Sequence, residues 1–133
     1  MNEILINRYP KSSVTEAIKT VRTNLKFSSI NKKIQTILIT SSVANEGKSF
    51  ISANLAASFA TNTDKVLLID CDLRRGRQSQ LFTNSSEPIL GLSNLLIDDN
   101  WKKNLKQYIK PTEVYNLDIL TTGSMPPNPS ALL

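Results

Sequence analysis

The chain of 133 residues holds 40% hydrophobic and 20% charged residues, carries a net charge of +5, and contains no histidine and a single cysteine, Cys71. That balance suits one globular domain with a modest core, and it excludes Ser–His catalysis, histidine zinc sites and an internal disulfide. The lysines and arginines are dispersed without interleaved aromatics, so the positive charge predicts no nucleic-acid partner, and no apolar run reaches the roughly 20 residues of a membrane span.

Residues 1–12 read as an N-terminal arm, and residues 13–133 as part of one domain. The opening "MNEILINRYPKSS" lacks the apolar stretch of a secretory signal, which predicts a cytoplasmic chain. Ser13 and Glu16 fit a capping box, and Val14, Ile18, Val21 and Leu25 recur at helical spacing, predicting a helix over about 14–28. After a polar break at 31–33, "TILIT" (36–40) has the composition of a strand buried on both faces. An alanine-rich stretch from Ser49 to Thr61 carries Ile51, Leu55 and Phe59 at helical spacing, and "VLLID" (66–70) reads as a second buried strand. Strand, loop, helix and strand in that order predict a βαβ unit with a right-handed crossover and a parallel sheet.

Residues 74–91 are polar and rich in turn formers. "LSNLLIDD" (92–99) predicts a short helix; its "LLIDD" imitates a Walker B strand but lacks β-branched weight. "YNLDILTTG" (115–123) predicts a third strand running into a glycine turn. Asn128–Pro129 has the composition of a helix start, four residues before the chain ends, so the sequence reads as a fragment. Three strands leave a sheet edge exposed, which predicts a marginal or aggregation-prone chain.

The stretch from Thr40 to Phe50, "TSSVANEGKSF", carries the chemistry. It ends like the phosphate-binding pattern G-x-x-x-x-G-K-[ST], with Ser42 in place of the first glycine. A strand is predicted to feed it and a helix to leave it, as a P-loop requires. A helix N-terminus offers free N–H groups and partial positive charge to a phosphate. Gly47 admits close approach of the backbone, Lys48 can reach the β- and γ-phosphates, and the Ser49 hydroxyl can ligate Mg²⁺. Asn45 tolerates a left-handed conformation, and Glu46 is expected to turn its side chain outward. Downstream, Asp70 and Asp72 are predicted to share one face of an extended segment, where they can hold Mg²⁺ or accept a proton from a hydroxyl. Cys71, between them in sequence, is predicted to point away from them into the core as an inert thiol. Arg74, Arg75 and Arg77 are candidates for stabilising phosphate charge.

"ILITSSVANEGKSF" followed by "VLLIDCDLRR" resembles the bacterial tyrosine kinase (BY-kinase) family of capsular and exopolysaccharide synthesis. That family's Walker A loop reads approximately S-S-x-P-G-E-G-K-S-T, and its Walker A′ motif is an apolar run followed by D-x-D-x-R. The resemblance implies a P-loop NTPase-like, Rossmann-like three-layer α/β fold with a parallel sheet and flanking helices, incomplete in this chain. It implies ATP and Mg²⁺ as cofactors, with Ser42, Val43, Ala44, Asn45, Glu46, Gly47, Lys48, Ser49, Phe50 and Arg74 around the nucleotide. Ser49, Asp70 and Asp72 would hold the metal, and Lys48, Asp70 and Asp72 would act in phosphoryl transfer to tyrosine. "EAIKTVRTN" resembles the family's E-x-x-R-x-x-R oligomerisation helix, with Glu16, Lys19 and Arg22 at its three positions, implying a ring-like homo-oligomer. "GSMPPNPSALL" resembles a further family segment. The implied partner is a membrane-embedded polysaccharide co-polymerase adaptor that recruits the kinase to the inner face of the membrane. The sequence departs from the family at Ala44 and Asn45 (usually Pro-Gly), Phe50 (Thr) and Lys19 (Arg), and the Walker B strand and tyrosine cluster are not found in it. Two alternatives remain: a partition or septum-placement ATPase, disfavoured because Val43 stands where those carry a lysine, and a truncated non-catalytic partner in the kinase oligomer.

Overall fold

The computed structural model describes residues 4–28, 34–60, 64–76, 81–82 and 90–132. The N-terminal segment is not a free arm. Leu5–Arg8 forms a single helical turn, α1; Ile6 on it and Ile4 just before it are buried. Asn54 explains the attachment: its Oδ1 accepts the Leu5 N–H at 2.7 Å.

The next helix, α2, spans Ser13–Phe27, close to its predicted bounds. Its cap lies one residue before the expected one. The Ser12 hydroxyl accepts the Thr15 N–H at 3.1 Å, and Glu16 pairs with Lys19 at 2.8 Å instead of reaching back to the cap. Helix α3, Lys48–Ala60, lies between α2 and the sheet. A helix sandwiched this way must be apolar on both faces. Leu55 meets Ile6 and Ile18 on one side. On the other, Ala53, Ala56, Ala57 and Ala60 contribute to the main core with Leu117, Ile119, Leu81 and Phe82. Small side chains bring helix and sheet close together. Ile51, one of the three residues that defined the predicted helical spacing, is 43% exposed.

The sheet has three strands among the described residues: β1 (Val66–Ile69), β2 (Ile109–Pro111) and β3 (Leu117–Leu120), in the order β1-β3-β2. β1 and β3 are parallel, with Val66 opposite Leu117 and Ile69 opposite Leu120. β2 runs antiparallel to β3, so the sheet is mixed where a parallel one was predicted. The strand expected at 36–40 is absent: residues 34–40 adopt no regular secondary structure, and Leu38 is 85% exposed. An apolar run of this kind becomes a strand only when a neighbour satisfies its backbone groups, and none of the described strands pairs with it. The βαβ unit is therefore not closed on its first strand.

Between β1 and β3 the chain forms α4 (Leu92–Leu96), where a short helix was predicted, and α5 (Trp101–Tyr108), which was not. Asp98 organises α5. Its carboxylate accepts from the Asn100 N–H at 2.8 Å, the Asn104 amide at 2.9 Å and the Tyr108 hydroxyl at 2.7 Å. These bonds hold the Asp98 carboxyl below its usual range, Asn104 contributing most, and the same carboxylate raises the Tyr108 phenol. After β3 the chain passes Gly123 and ends in a 3-10 turn over Pro129–Ala131, where Asn128 makes no side-chain cap.

Candidate nucleotide-binding site

The loop over residues 41–47 leads into α3 at Lys48. Asn45 has φ 65° and Gly47 has φ 87°. Both are left-handed, a conformation asparagine adopts more readily than most residues and glycine without cost. The backbone freedom predicted for Asn45 is thus used. A side chain added at Gly47 would meet open space, so glycine is required there by its φ alone. The Ile51 N–H donates to the Gly47 carbonyl at 2.9 Å, which starts the helix immediately behind the loop.

Side chains close the loop from within. Lys48 Nζ donates to Ser41 Oγ at 2.8 Å, and Ser41 Oγ donates to the Val43 carbonyl at 2.8 Å. Lys48 sits at the head of α3 with its ammonium drawn back over the loop entrance. With three N–H donors it can engage an anion while keeping Ser41. Glu46 does not simply point outward. Its Oε2 accepts from the Ser42 N–H at 3.1 Å and the Val43 N–H at 3.4 Å. Ala44 is exposed, while Ser49 and Phe50 are half-buried in the first turn of α3.

The second motif follows β1. The strand ends at Ile69, though the Asp70 N–H still donates to the Leu120 carbonyl at 2.9 Å, so the ladder runs one residue further before the chain turns at 73–75. Asp70 is 6% exposed, and its Oδ1 accepts the Asp72 N–H at 3.0 Å. The Asp72 Oδ1 accepts from Arg74 N at 3.4 Å and Arg75 N at 3.2 Å, capping the turn over 73–75. The two carboxylates are consecutive turn-forming acceptors, one buried and one exposed, rather than a pair on one strand face. Cys71 is exposed, not core-facing: burial alternates along β1, with Leu67 and Ile69 exposed and Asp70 buried, and Cys71 continues the exposed set. Partial burial pushes its thiol up, and the neighbouring Asp70 carboxylate pushes it further, so it stays protonated at neutral pH. Arg74 and Arg75 are exposed, and Arg77 lies outside the described residues.

Two supporting residues escaped the sequence reading. Gly76, with φ 39°, packs so closely on Thr122 that a side chain there would collide with Thr122 Oγ1. This contact pins the Asp72 turn to the end of β3. A lone glycine in a polar stretch gave no signal of it. Thr121, fully buried just beyond β3, has no hydrogen-bond partner for Oγ1 among the described residues.

Magnesium suits the donor chemistry. It prefers hard oxygen ligands and takes one or two carboxylates beside substrate phosphates rather than an all-protein cage. No group of three or more His, Cys, Asp or Glu gathers among the described residues, as that mode of binding allows. The Ser49 hydroxyl with Asp70 or Asp72 is a donor set of the right kind.

The three residues expected at an oligomer interface divide. Glu16 and Lys19 pair on the surface of α2, and Lys19 also donates to the Pro10 carbonyl at 3.1 Å. Arg22 turns inward, its Nη1 donating to the Ser58 carbonyl of α3 at 2.8 Å.

Residues 37–94, which hold both motifs, match the CobQ/CobB/MinD/ParA nucleotide binding domain family. The chain is 40% identical to the tyrosine-protein kinase YwqD of Bacillus subtilis over 93% of its length, covering 50% of YwqD. It is equally identical to the tyrosine-protein kinase Etk of Escherichia coli, again over 93% of its length, covering 16% of Etk. The chain is a relative of the bacterial tyrosine kinases. Solved structures agree with this reading. The kinase domain of Escherichia coli ETK superposes with a TM-score of 0.86 at 37% identity, over 97% of this chain and 49% of that one. The chimerical protein CapA2B2 gives 0.86 at 37% identity, over 99% and 56%. The chain thus spans about half the length of those solved kinase-related chains and of YwqD. The fold is that of a P-loop nucleotide-binding domain with a mixed sheet and flanking helices. Among the described residues no helix is long and apolar enough to cross a membrane.

Proposed function

We propose that this chain is the nucleotide-binding part of an ATP-dependent protein-tyrosine kinase that regulates capsular or exopolysaccharide synthesis. The observation that carries the reading is the loop from Ser41 to Ser49, left-handed at Asn45 and Gly47 and running straight into α3 with Lys48 at its head. In this reading Lys48 and the N–H groups at the start of α3 hold the ATP phosphates. Ser49, Asp70 and Asp72 would hold Mg²⁺, which would supply charge neutralisation for the transferring phosphoryl group. One of the two aspartates accepts the tyrosine proton as the γ-phosphoryl group passes to the phenolic oxygen and ADP leaves. Arg74 adds positive charge near the phosphates. A membrane-embedded adaptor recruits the kinase to the inner face of the membrane, and Glu16, Lys19 and Arg22 belong to the oligomer interface.

The test is transfer of labelled γ-phosphate from Mg-ATP to a tyrosine-containing polymer, with an Asp72→Asn control. Phosphotyrosine formed by the native chain and lost in the variant supports the kinase. Nucleotide binding without any transfer favours instead a non-catalytic member of the oligomer.

A further inference from the structure

The Glu46 carboxylate accepts two backbone N–H groups at the start of the loop from a position near its end. Acidic side chains are unfavourable beside phosphates, so a glutamate here needs a reason. Two geometries are conceivable. As a plug, the carboxylate would occupy donors that a phosphate must later take. As a staple, it would fix the loop's shape while the phosphate uses other donors. The positions of the donors decide between them. The donors that attract phosphate lie at the N-terminus of α3, from Gly47 onward. Glu46 engages Ser42 and Val43, at the opposite end. Those residues stand where the usual pattern begins with glycine, and two of the residues that follow are left-handed. The bond from Lys48 to Ser41 draws the same two ends together from the helix side.

We propose that Glu46 is a positioning residue: its carboxylate staples the loop closed across Ser42 and Val43 and so holds the phosphate-binding N–H groups ready before nucleotide arrives. The role rests on the nucleotide-binding reading of this loop. It requires an acceptor at the side-chain end, not a charge. Glutamine keeps the acceptor and removes repulsion toward phosphate; alanine removes the acceptor altogether.

Two measurements test it. In Mg-ATP titration calorimetry, Glu46→Ala should bind about fivefold more weakly than the native chain, as expected for losing hydrogen bonds at an exposed loop. Glu46→Gln should bind at least as tightly as the native chain, and all three should melt at the same temperature. In hydrogen exchange on the nucleotide-free protein, the Ser42 and Val43 amides should exchange several-fold faster in Glu46→Ala and unchanged in Glu46→Gln. Tighter binding by Glu46→Ala would show a plug and overturn the proposal, and so would unchanged exchange at those two amides. A native chain that fails to bind Mg-ATP would instead overturn the nucleotide reading, and the exchange data would still judge the staple.

Discussion

Asn54→Ala is the sharpest probe of how the N-terminal segment is joined to the phosphate-binding helix. Asn54 is fully buried in α3. Its Oδ1 accepts the Leu5 N–H at 2.7 Å, and its Nδ2 donates to the Phe50 carbonyl at 3.0 Å. Alanine removes both bonds, each worth about 0.5–1.5 kcal/mol net, and leaves the Leu5 N–H without its acceptor at a cost of about 1–3 kcal/mol. These terms overlap, and a total near 2–4 kcal/mol follows. For a chain of this size 1 kcal/mol moves the melting temperature by about 3–5 °C, so Asn54→Ala should melt roughly 6–20 °C below the native chain by circular dichroism. Deleting residues 1–8 should destabilise as well, since Ile4 and Ile6 lose their burial. The two changes should be non-additive, because the deletion already removes the Leu5 donor. A shift under 2 °C for Asn54→Ala, or full additivity with the deletion, would refute the claim that this side chain fastens α1 to α3.

Tyr108→Phe should lower the urea midpoint at neutral pH and leave the binding loop untouched, because only the bond to Asp98 is lost. The depressed Asp98 carboxyl supplies stability above the ordinary aspartate value near 3.9. That stability should fade as pH falls through the still lower folded-state value, and urea melts between pH 2 and 6 should show a smaller loss in Tyr108→Phe. Arg22→Ala should cost about 1–2 kcal/mol in thermal melts by releasing the Ser58 carbonyl; an unchanged melt would show that the inward bond is idle. Leu38→Lys should weaken dye binding to apolar surface and reduce self-association on light scattering, with little change in melting, since Leu38 is exposed. Unfolding of that variant would show Leu38 to be buried instead.

How much of this was legible depended on whether the cause was local. Helices α2 and α3 follow from preferences that act within a turn or two, and both lie within two residues of their predicted bounds, although Val14, Val21 and Ile51 of the predicted spacing are exposed. The loop was legible for the same reason: Asn45 and Gly47 carry their backbone preference with them. "TILIT" was misread because a strand needs a partner, which its own residues do not specify. Helix α5 was missed because its organiser, Asp98, works through Tyr108, ten residues away. At the site, the sequence placed Asp70 and Asp72 together but not their geometry. The backbone ladder does reach the Asp70 N–H, but both carboxylates then turn back onto backbone N–H groups of the following turn. The hold of Asn54 on Leu5 and that of Glu46 on Ser42 and Val43 are side-chain contacts that no motif announces.

The central claim is that this loop binds ATP phosphates through Lys48. The direct measurement is equilibrium binding of Mg-ATP to the native chain and to Lys48→Met, with both confirmed folded by circular dichroism. Saturable binding by the native chain, weakened at least tenfold in Lys48→Met, is the predicted result. Equal affinity in the two proteins would contradict it.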